Sequence, residues 1–249
     1  MLETTEAIIL NSRKYGETSK IVTVFSKNFG KFNLIVKGAS KAKNKFGSAL
    51  EPMSYVLITF YRKPANQLQL LSNAELVANF LHIRQSLEST AFCFSIIETI
   101  NKILEEHYVN EKIFSSIIEA FEQINQNKVE PFNVYLKFLF IFLNNLGFEI
   151  STNSLNIRNN SKNNQVFFDI ENGLFILINN NENNKFTNKV ELNINLFDKI
   201  SQIINSEERE IPNISFSKSE IYSLINLFSK YLNFHIEKSL YLESLKLLG

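Results

Sequence analysis

Apolar and polar positions alternate with a period of two through roughly the first eighty residues, and from about residue 79 they recur three and four apart. The early runs are EAIILNSR, KIVTVFS, FNLIVKG, MSYVLITFY and NQLQLLSNAEL, punctuated by Gly16, Gly30, Gly38 and Pro64. In the second run Ile21, Thr23 and Phe25 share one side. Five short antiparallel strands of this kind close into a small OB-type barrel more naturally than they pair as a sandwich.

The helical period opens in NFLHIRQSLESTAFCFSIIETINKILEE, where Leu87, Ala91, Phe94, Ile97 and Ile100 fall on one face. EKIFSSIIEAFEQI predicts a second helix. Pro131 starts a third, PFNVYLKFLFIFLNNLG, with Gly147 as its C-cap. That helix is apolar nearly all round and should be buried. Residues 148–192 differ: NQVFFDI and GLFILI flank ENG, which predicts a β-hairpin. NLFDKISQIINS is a further helix. Ser217 and Glu220 stand at capping-box spacing and open a last one running to Leu248. The expected architecture is therefore α+β. A five-stranded OB-fold barrel over residues 1–79 precedes a mostly α-helical domain over 80–249, into which a small β-hairpin is inserted.

With 45% hydrophobic and 20% charged residues and 23 Phe, the chain can sustain a sizeable core. Asn-rich runs such as NNNENNKFTN lie between apolar segments and read as compositional bias of the source, not as disorder. The N-terminus shows no basic-then-apolar signal, and the longest apolar stretch is broken by Lys137, Asn144 and Asn145, so the expected location is cytoplasmic, with no membrane contact. A single cysteine, Cys93, excludes an internal disulfide and a multi-cysteine metal site. Charge changes the picture more. The net value of +1 conceals 12 Lys and Arg against 5 Asp and Glu in residues 1–84, and 14 against 20 in residues 85–249. A basic head on an acidic body points to nucleic-acid contact by the head.

VKGASKAKNKFG is the densest basic stretch, with Lys37, Lys41, Lys43 and Lys45 within nine residues and no acid among them. Arg13, Lys14, Lys20, Lys27 and Lys31 lie on neighbouring strands and turns. Ammonium groups on such a loop can follow a phosphate backbone without reading bases. Tyr15, Phe29 and Phe46, in turns, are candidate stacking rings, whereas Phe25 and Phe32 are expected to fill the barrel. The same residues also read as a solvated lysine loop over a packed core. Cys93, between Phe92 and Phe94, is expected to be a buried structural thiol. His82, His107 and His235 are too far apart in sequence to form a ligand set, and no nucleophile–base arrangement or phosphate loop is visible. No catalytic residue, metal or cofactor is expected. A protein-interaction module with incidental DNA affinity stays open, whereas a nuclease would need clustered carboxylates that the head lacks.

YGE at 15–17, IVTVFSKNFGK at 21–31, KGASK at 37–41 and LEP at 50–52, followed by LQLLSNAEL, together resemble the RecO family of bacterial recombination mediators. YLNFHIEKSLYLESLKLL resembles that family's last helix. The resemblance is good over the first eighty residues, fair over the helical body and poor from 150 to 190. It implies an N-terminal OB-fold and binding of single- and double-stranded DNA. It also implies annealing of complementary strands and help in loading recombinase onto coated single strands. The implied partners are RecR, the acidic tail of the single-strand-binding protein and, indirectly, the recombinase RecA. The implied location is the bacterial cytoplasm, at the nucleoid. Lys37, Lys41 and the neighbouring basic residues lie where the family carries its DNA-contacting charge, and the DNA-binding residues expected here are Arg13, Lys14, Lys20, Lys31, Lys37, Lys41, Lys43 and Lys45. Many members carry a four-cysteine zinc site after the third helix, where this chain has Ser, Asn, Leu and Ile. The hairpin at 148–192 is then expected to hold by packing of Phe167, Phe168, Leu174 and Phe175.

Overall fold

The computed structural model describes residues 1–40, 45–63, 67–152, 164–179, 188–237 and 241–248. They form two compact units, residues 1–126 with 242–249, and residues 127–241. Among the described residues no helix is long and apolar enough to cross a membrane.

The first unit is built on strands β1 (Leu2–Tyr15), β2 (Ser19–Ser26), β3 (Gly30–Val36), β4 (Tyr55–Tyr61) and β5 (Leu68–Ala78). They close a barrel in the order β1-β2-β3-β5-β4, the arrangement expected of an OB-fold. All neighbours are antiparallel except β3 and β5, which pair in parallel over Asn33–Ile35 and Leu68–Leu70. Closure leaves no free sheet edge. Val22, Val24, Phe32, Leu34, Val36, Val56, Ile58 and Phe60 fill the interior.

The apolar run Ala7-Ile8-Ile9-Leu10 does not alternate with polar residues because this part of β1 is covered on both faces. Ala7 and Ile9 point into the barrel. Ile8 pairs with Phe25, which is fully buried and meets Phe114 at 6.1 Å between ring centres. Phe25 thus fills the seam between barrel and helices, not the barrel interior as expected, because β2 carries its odd positions outward. Between Ile9 and Asn11 the register with β2 slips by one residue. This β-bulge takes Leu10 out of the ladder and reverses the in–out parity over the remainder of β1.

Two helices cover the barrel: α1 (Leu87–Ile103) and α2 (Glu111–Gln126). Helix α1 begins later than the apolar period does. Phe80 is left-handed, residues Leu81–Gln85 make a 3-10 turn, and Ser86 then caps the helix by accepting from the Ser89 N–H. Cys93 is fully buried on α1, as expected, and burial pushes its thiol pKa well above the usual range. The α1–α2 connection lies against the β2–β3 turn, where His107 N donates to Lys31 O at 2.9 Å. Gly30 makes that approach possible. At φ +66° it tolerates the turn, and a Cβ there would stand 2.4 Å from Tyr108 O.

The expected continuous helix from 217 to 248 is broken in the structure. It stops at Glu237, which is left-handed, and residues Glu243–Leu248 form a separate 3-10 segment packed on α1. The Glu98 carboxylate accepts from the N–H groups of Glu243 and Ser244 at 2.8 and 3.0 Å. The buried hydroxyls of Ser95 and Ser244 lie 2.9 Å apart. The amphipathic pattern continues past 237 because these residues are buried too, but on a different partner.

In the second unit α3 (Pro131–Asn145) carries Pro at its start and ends at Gly147, where Phe148 N donates back to Leu143 O. The helix is buried almost throughout, as its pattern predicts. Even Lys137 is buried; its ammonium donates to Ile204 O and Ser206 O at the C-terminal end of α4 (Ile194–Asn205). Strands β6 (Asn164–Asp169) and β7 (Leu174–Asn179) form the expected hairpin. A third strand, β8 (Lys189–Leu192), pairs with β6 and makes a three-stranded sheet; at four residues it left no alternation to detect. Of the four residues expected to hold the hairpin, Phe168 and Phe175 are fully buried, 4.9 Å apart. Phe197 of α4 and Tyr231 of α5 (Lys218–Ile236) pack on them at 5.1 and 5.5 Å. Phe167 and Leu174 are half-buried, with the Lys189 ammonium 4.6 Å from the Phe167 ring centre.

Candidate nucleic-acid interface

Strand register assembles the basic residues at one end of the barrel. Beyond the bulge Ser12 stands opposite Val22, and two residues on Lys14 stands directly opposite Lys20, which is itself opposite Val36. Val22 and Val36 point inward, so the inward row finishes at this mouth in two lysines. Directly opposed residues hold their Cβ atoms about 5 Å apart, and like charges there repel. Arg13 lies on the other face of β1, one residue away, and Tyr15 is 48% exposed at the strand end.

Lys37 joins them through the connection that follows β3. Ser40 N donates to Thr18 O at 2.9 Å, and its hydroxyl donates to Ser19 O at 3.1 Å. These bonds fasten the start of the β3–β4 connection to the β1–β2 turn. Among the described residues, the side chains of Arg13, Lys14, Lys20 and Lys37 make no hydrogen bond or ion pair. The single acid in the β1–β2 turn is Glu17, which is exposed.

The other basic positions are held differently. Lys31 sits at the opposite end of β3 and donates to Asn101 O at 2.6 Å. Lys45 donates to Ser72 O at 2.8 Å and lies 4.9 Å from the Phe46 ring centre. Lys41 and Lys43 lie outside the described residues. Lys27 is ion-paired with Glu6 at 3.6 Å and Glu111 at 3.3 Å, and its bond to Glu111, with the charges of both acids, raises its pKa. Phe46 is buried in the barrel core, so its ring is not open for stacking, whereas Tyr15 is.

Sequence reasoning missed a second feature at the far mouth of the same barrel. A pocket of about 210 Å³ is lined by Phe29, Phe32, Phe60, Arg62, Asn28 and His107, among others. Phe29 was marked in the sequence as a stacking candidate, but Arg62 and His107 come from separate segments and no spacing signals their meeting. Among the described residues, no cluster of three His, Cys, Asp or Glu is placed to hold a metal ion.

Two family descriptions match the chain. Recombination protein O N terminal covers residues 1–80, and Recombination protein O C terminal covers residues 84–244. The chain belongs to the recombination protein O family. Among its relatives, the DNA repair protein RecO of Chloroherpeton thalassium is 27% identical over 244 residues, covering 95% of this chain and 94% of that protein. The DNA repair protein RecO of Salinibacter ruber is 34% identical over 131 residues, 53% of this chain and 50% of the relative. That of Desulfatibacillum aliphaticivorans is 37% identical over 141 residues, 56% and 55%. The chain thus spans about half the length of these last two relatives. Its N-terminal barrel, which the N-terminal description covers, is that family's OB-fold.

Proposed function

We propose that the chain is a DNA-binding recombination mediator whose basic barrel mouth holds the sugar–phosphate backbone. The carrying observation is the cross-strand pair Lys14–Lys20, joined by Arg13 and Lys37, with no protein partner among the described residues. Placing like charges opposite each other costs stability unless an anion relieves them, and a phosphate run supplies it. Lys41, Lys43 and Lys45 extend the same function along the β3–β4 connection, and Lys31 contributes charge from the far end of β3. Tyr15 offers a ring on which one base can stack.

Such a surface neutralises backbone without reading base edges, so it binds single and double strands with little sequence preference. Annealing arises from the same electrostatics: a surface that screens two strands at once lowers their repulsion and raises their local concentration. No bond is made or broken, so the protein acts by binding and not as an enzyme. Its proposed partners are RecR, the acidic tail of the single-strand-binding protein and, through loading, the recombinase RecA. The proposed place of action is the cytoplasm, at the nucleoid.

The test is titration of labelled single- and double-stranded oligonucleotides at several salt concentrations. Wild-type protein is compared with a variant carrying Arg13→Glu, Lys14→Glu, Lys20→Glu and Lys37→Glu, and with Lys41→Glu/Lys43→Glu/Lys45→Glu. Steep weakening with salt, and collapse of binding in the first variant, are expected. Salt-insensitive binding, or equal binding by all three proteins, would shift the reading to a protein-interaction module.

A further inference from the structure

The pocket at the far barrel mouth is assembled from four separate segments of the chain, Gln69 of β5 among them. Asn28 and Phe29 come from the β2–β3 turn, Phe32 and Phe60 from the barrel wall, and Arg62 and His107 from the end of β4 and the α1–α2 connection. Its floor is aromatic. Phe60 meets Phe32 at 4.9 Å and Phe29 edge-on at 5.4 Å, and the His107 ring lies nearly parallel to Phe32. Phe32 and Phe60 are core residues, each 2% exposed, so they back the pocket rigidly and leave the ring faces at its opening to Phe29 and His107.

Its rim is polar and pre-organised. The Arg62 guanidinium stacks over Phe29 at 5.0 Å. The Arg62 backbone is held by its N–H donating to Met1 O at 2.8 Å. The next residue, Lys63, is bonded through both N–H and C=O to the buried Gln69 side chain. Asn28 accepts a bond from the Thr5 hydroxyl with its amide oxygen, which leaves its NH₂ directed elsewhere. Among the described residues, the Arg62 guanidinium, the Asn28 NH₂ and the His107 ring nitrogens have no hydrogen-bond partner. Val109, 51% exposed, forms part of the pocket's wall.

We infer that this pocket is a second nucleic-acid subsite that takes a single unstacked nucleobase. The volume is below that of drug-sized sites and fits one flat ring system. The exposed His107 ring and the half-buried Phe29 ring supply stacking, which tolerates any base, with the buried Phe32 and Phe60 packed against them. The guanidinium and the amide supply donors for the carbonyl and ring-nitrogen acceptors of a base edge. An apolar peptide side chain of similar size would strip water from these polar groups and leave them unpaired, a cost a base avoids. The inference rests on the DNA-binding reading for its biological context but not for its test. A protein that anneals strands must hold bases unpaired before they pair, and a pocket for one splayed base at the end of the barrel away from the Lys14–Lys20 pair would do so.

The experiment uses the full chain and two variants, Arg62→Gln and Val109→Trp. The first removes the guanidinium; the second plugs the pocket from an exposed position without touching the core, and circular dichroism checks that it folds. Deoxyadenosine monophosphate is titrated against each protein while the His107 ring protons are followed by NMR, with inorganic phosphate as control. A single-stranded oligonucleotide containing one 2-aminopurine is then titrated with fluorescence readout. Wild-type protein should show nucleotide-dependent His107 shifts absent with phosphate. Both variants should lose the 2-aminopurine response and bind the mononucleotide roughly five- to hundredfold more weakly, the range for one stacked base. Unchanged His107 resonances in wild type, shifts of equal size with phosphate, or an unaltered response in the folded Val109→Trp protein would overturn the inference. So would His107 shifts produced by a short peptide ending in Phe but not by the nucleotide. Oligonucleotide binding that collapses in the Arg13/Lys14/Lys20/Lys37 variant while the pocket stays silent would remove the subsite alone. His107 shifts with the mononucleotide, but no oligonucleotide binding by wild type, would remove the DNA-binding reading and keep the pocket.

Discussion

At the residue scale, a few positions are fixed by what surrounds them rather than by local preference. Gly30 is one: a methyl group there collides with the backbone of His107 and Tyr108, which cannot swing aside. Gly30→Ala is expected to cost about 2–4 kcal/mol, from the left-handed strain plus displacement of the α1–α2 connection, read by urea unfolding. The sequence marked Gly30 as a turn glycine; the close approach that makes it irreplaceable was not legible, because its partner lies more than seventy residues away. Lys137 is another. In the sequence it looked like an interruption of an apolar helix, yet it is buried and closes the end of α4. Burial lowers its pKa, with Glu208 opposing. The folded state therefore releases that proton more readily than the unfolded one, and this residue's contribution to stability rises with pH as the unfolded value near 10.5 is approached. Thermal unfolding at stepped pH should show wild type gaining on Lys137→Met over that window. At neutral pH, Lys137→Met should cost about 1–2 kcal/mol through two unpaired carbonyls.

Elements obey their sequence signals where those signals are local. Ser217 and Glu220 form the reciprocal capping box that their spacing predicts, and Ser217→Ala should destabilise by about 1 kcal/mol in denaturant unfolding. Glu220 is also bonded to Lys199 at 2.8 Å. Partial burial would raise its pKa, but the bonds from Lys199 and Ser217 outweigh that and hold it below the ordinary carboxylate value. The stability it gains is present above about pH 4.5 and is lost as pH falls through the depressed value. The advantage of wild type over Lys199→Met should thus shrink on acidification, measured as a difference in Tm. The five strands, the buried α3 and the hairpin all appear where alternation and capping place them. The strand β8 and the break at Glu237 were not legible, the first because four residues carry too little pattern, the second because buried positions recur on both sides of the break.

For the molecule as a whole, the basic head becomes a mouth only through register. If Arg13, Lys14, Lys20 and Lys37, together with the lysines of the β3–β4 connection, each neutralise about one phosphate, log K for single strands should fall against log salt with a slope of roughly −3 to −5. The slope should shrink to roughly −2 in the variant with the four barrel residues changed to Glu, which keeps the connection lysines; an unchanged slope would remove DNA from that mouth. The sequence by itself determined the barrel and helical elements, the basic bias of the first third and the absence of a multi-cysteine site, since each depends on composition or on contacts within a few residues. Tertiary structure decided the rest. Bulge parity turned Lys14 toward Lys20, ion pairing took Lys27 out of use, and burial withdrew Phe46. Chain segments remote in sequence brought Phe29, Arg62 and His107 around one pocket. Those outcomes hang on which strands pair and in what register, a choice made by the whole barrel closing on its core and not by any segment alone.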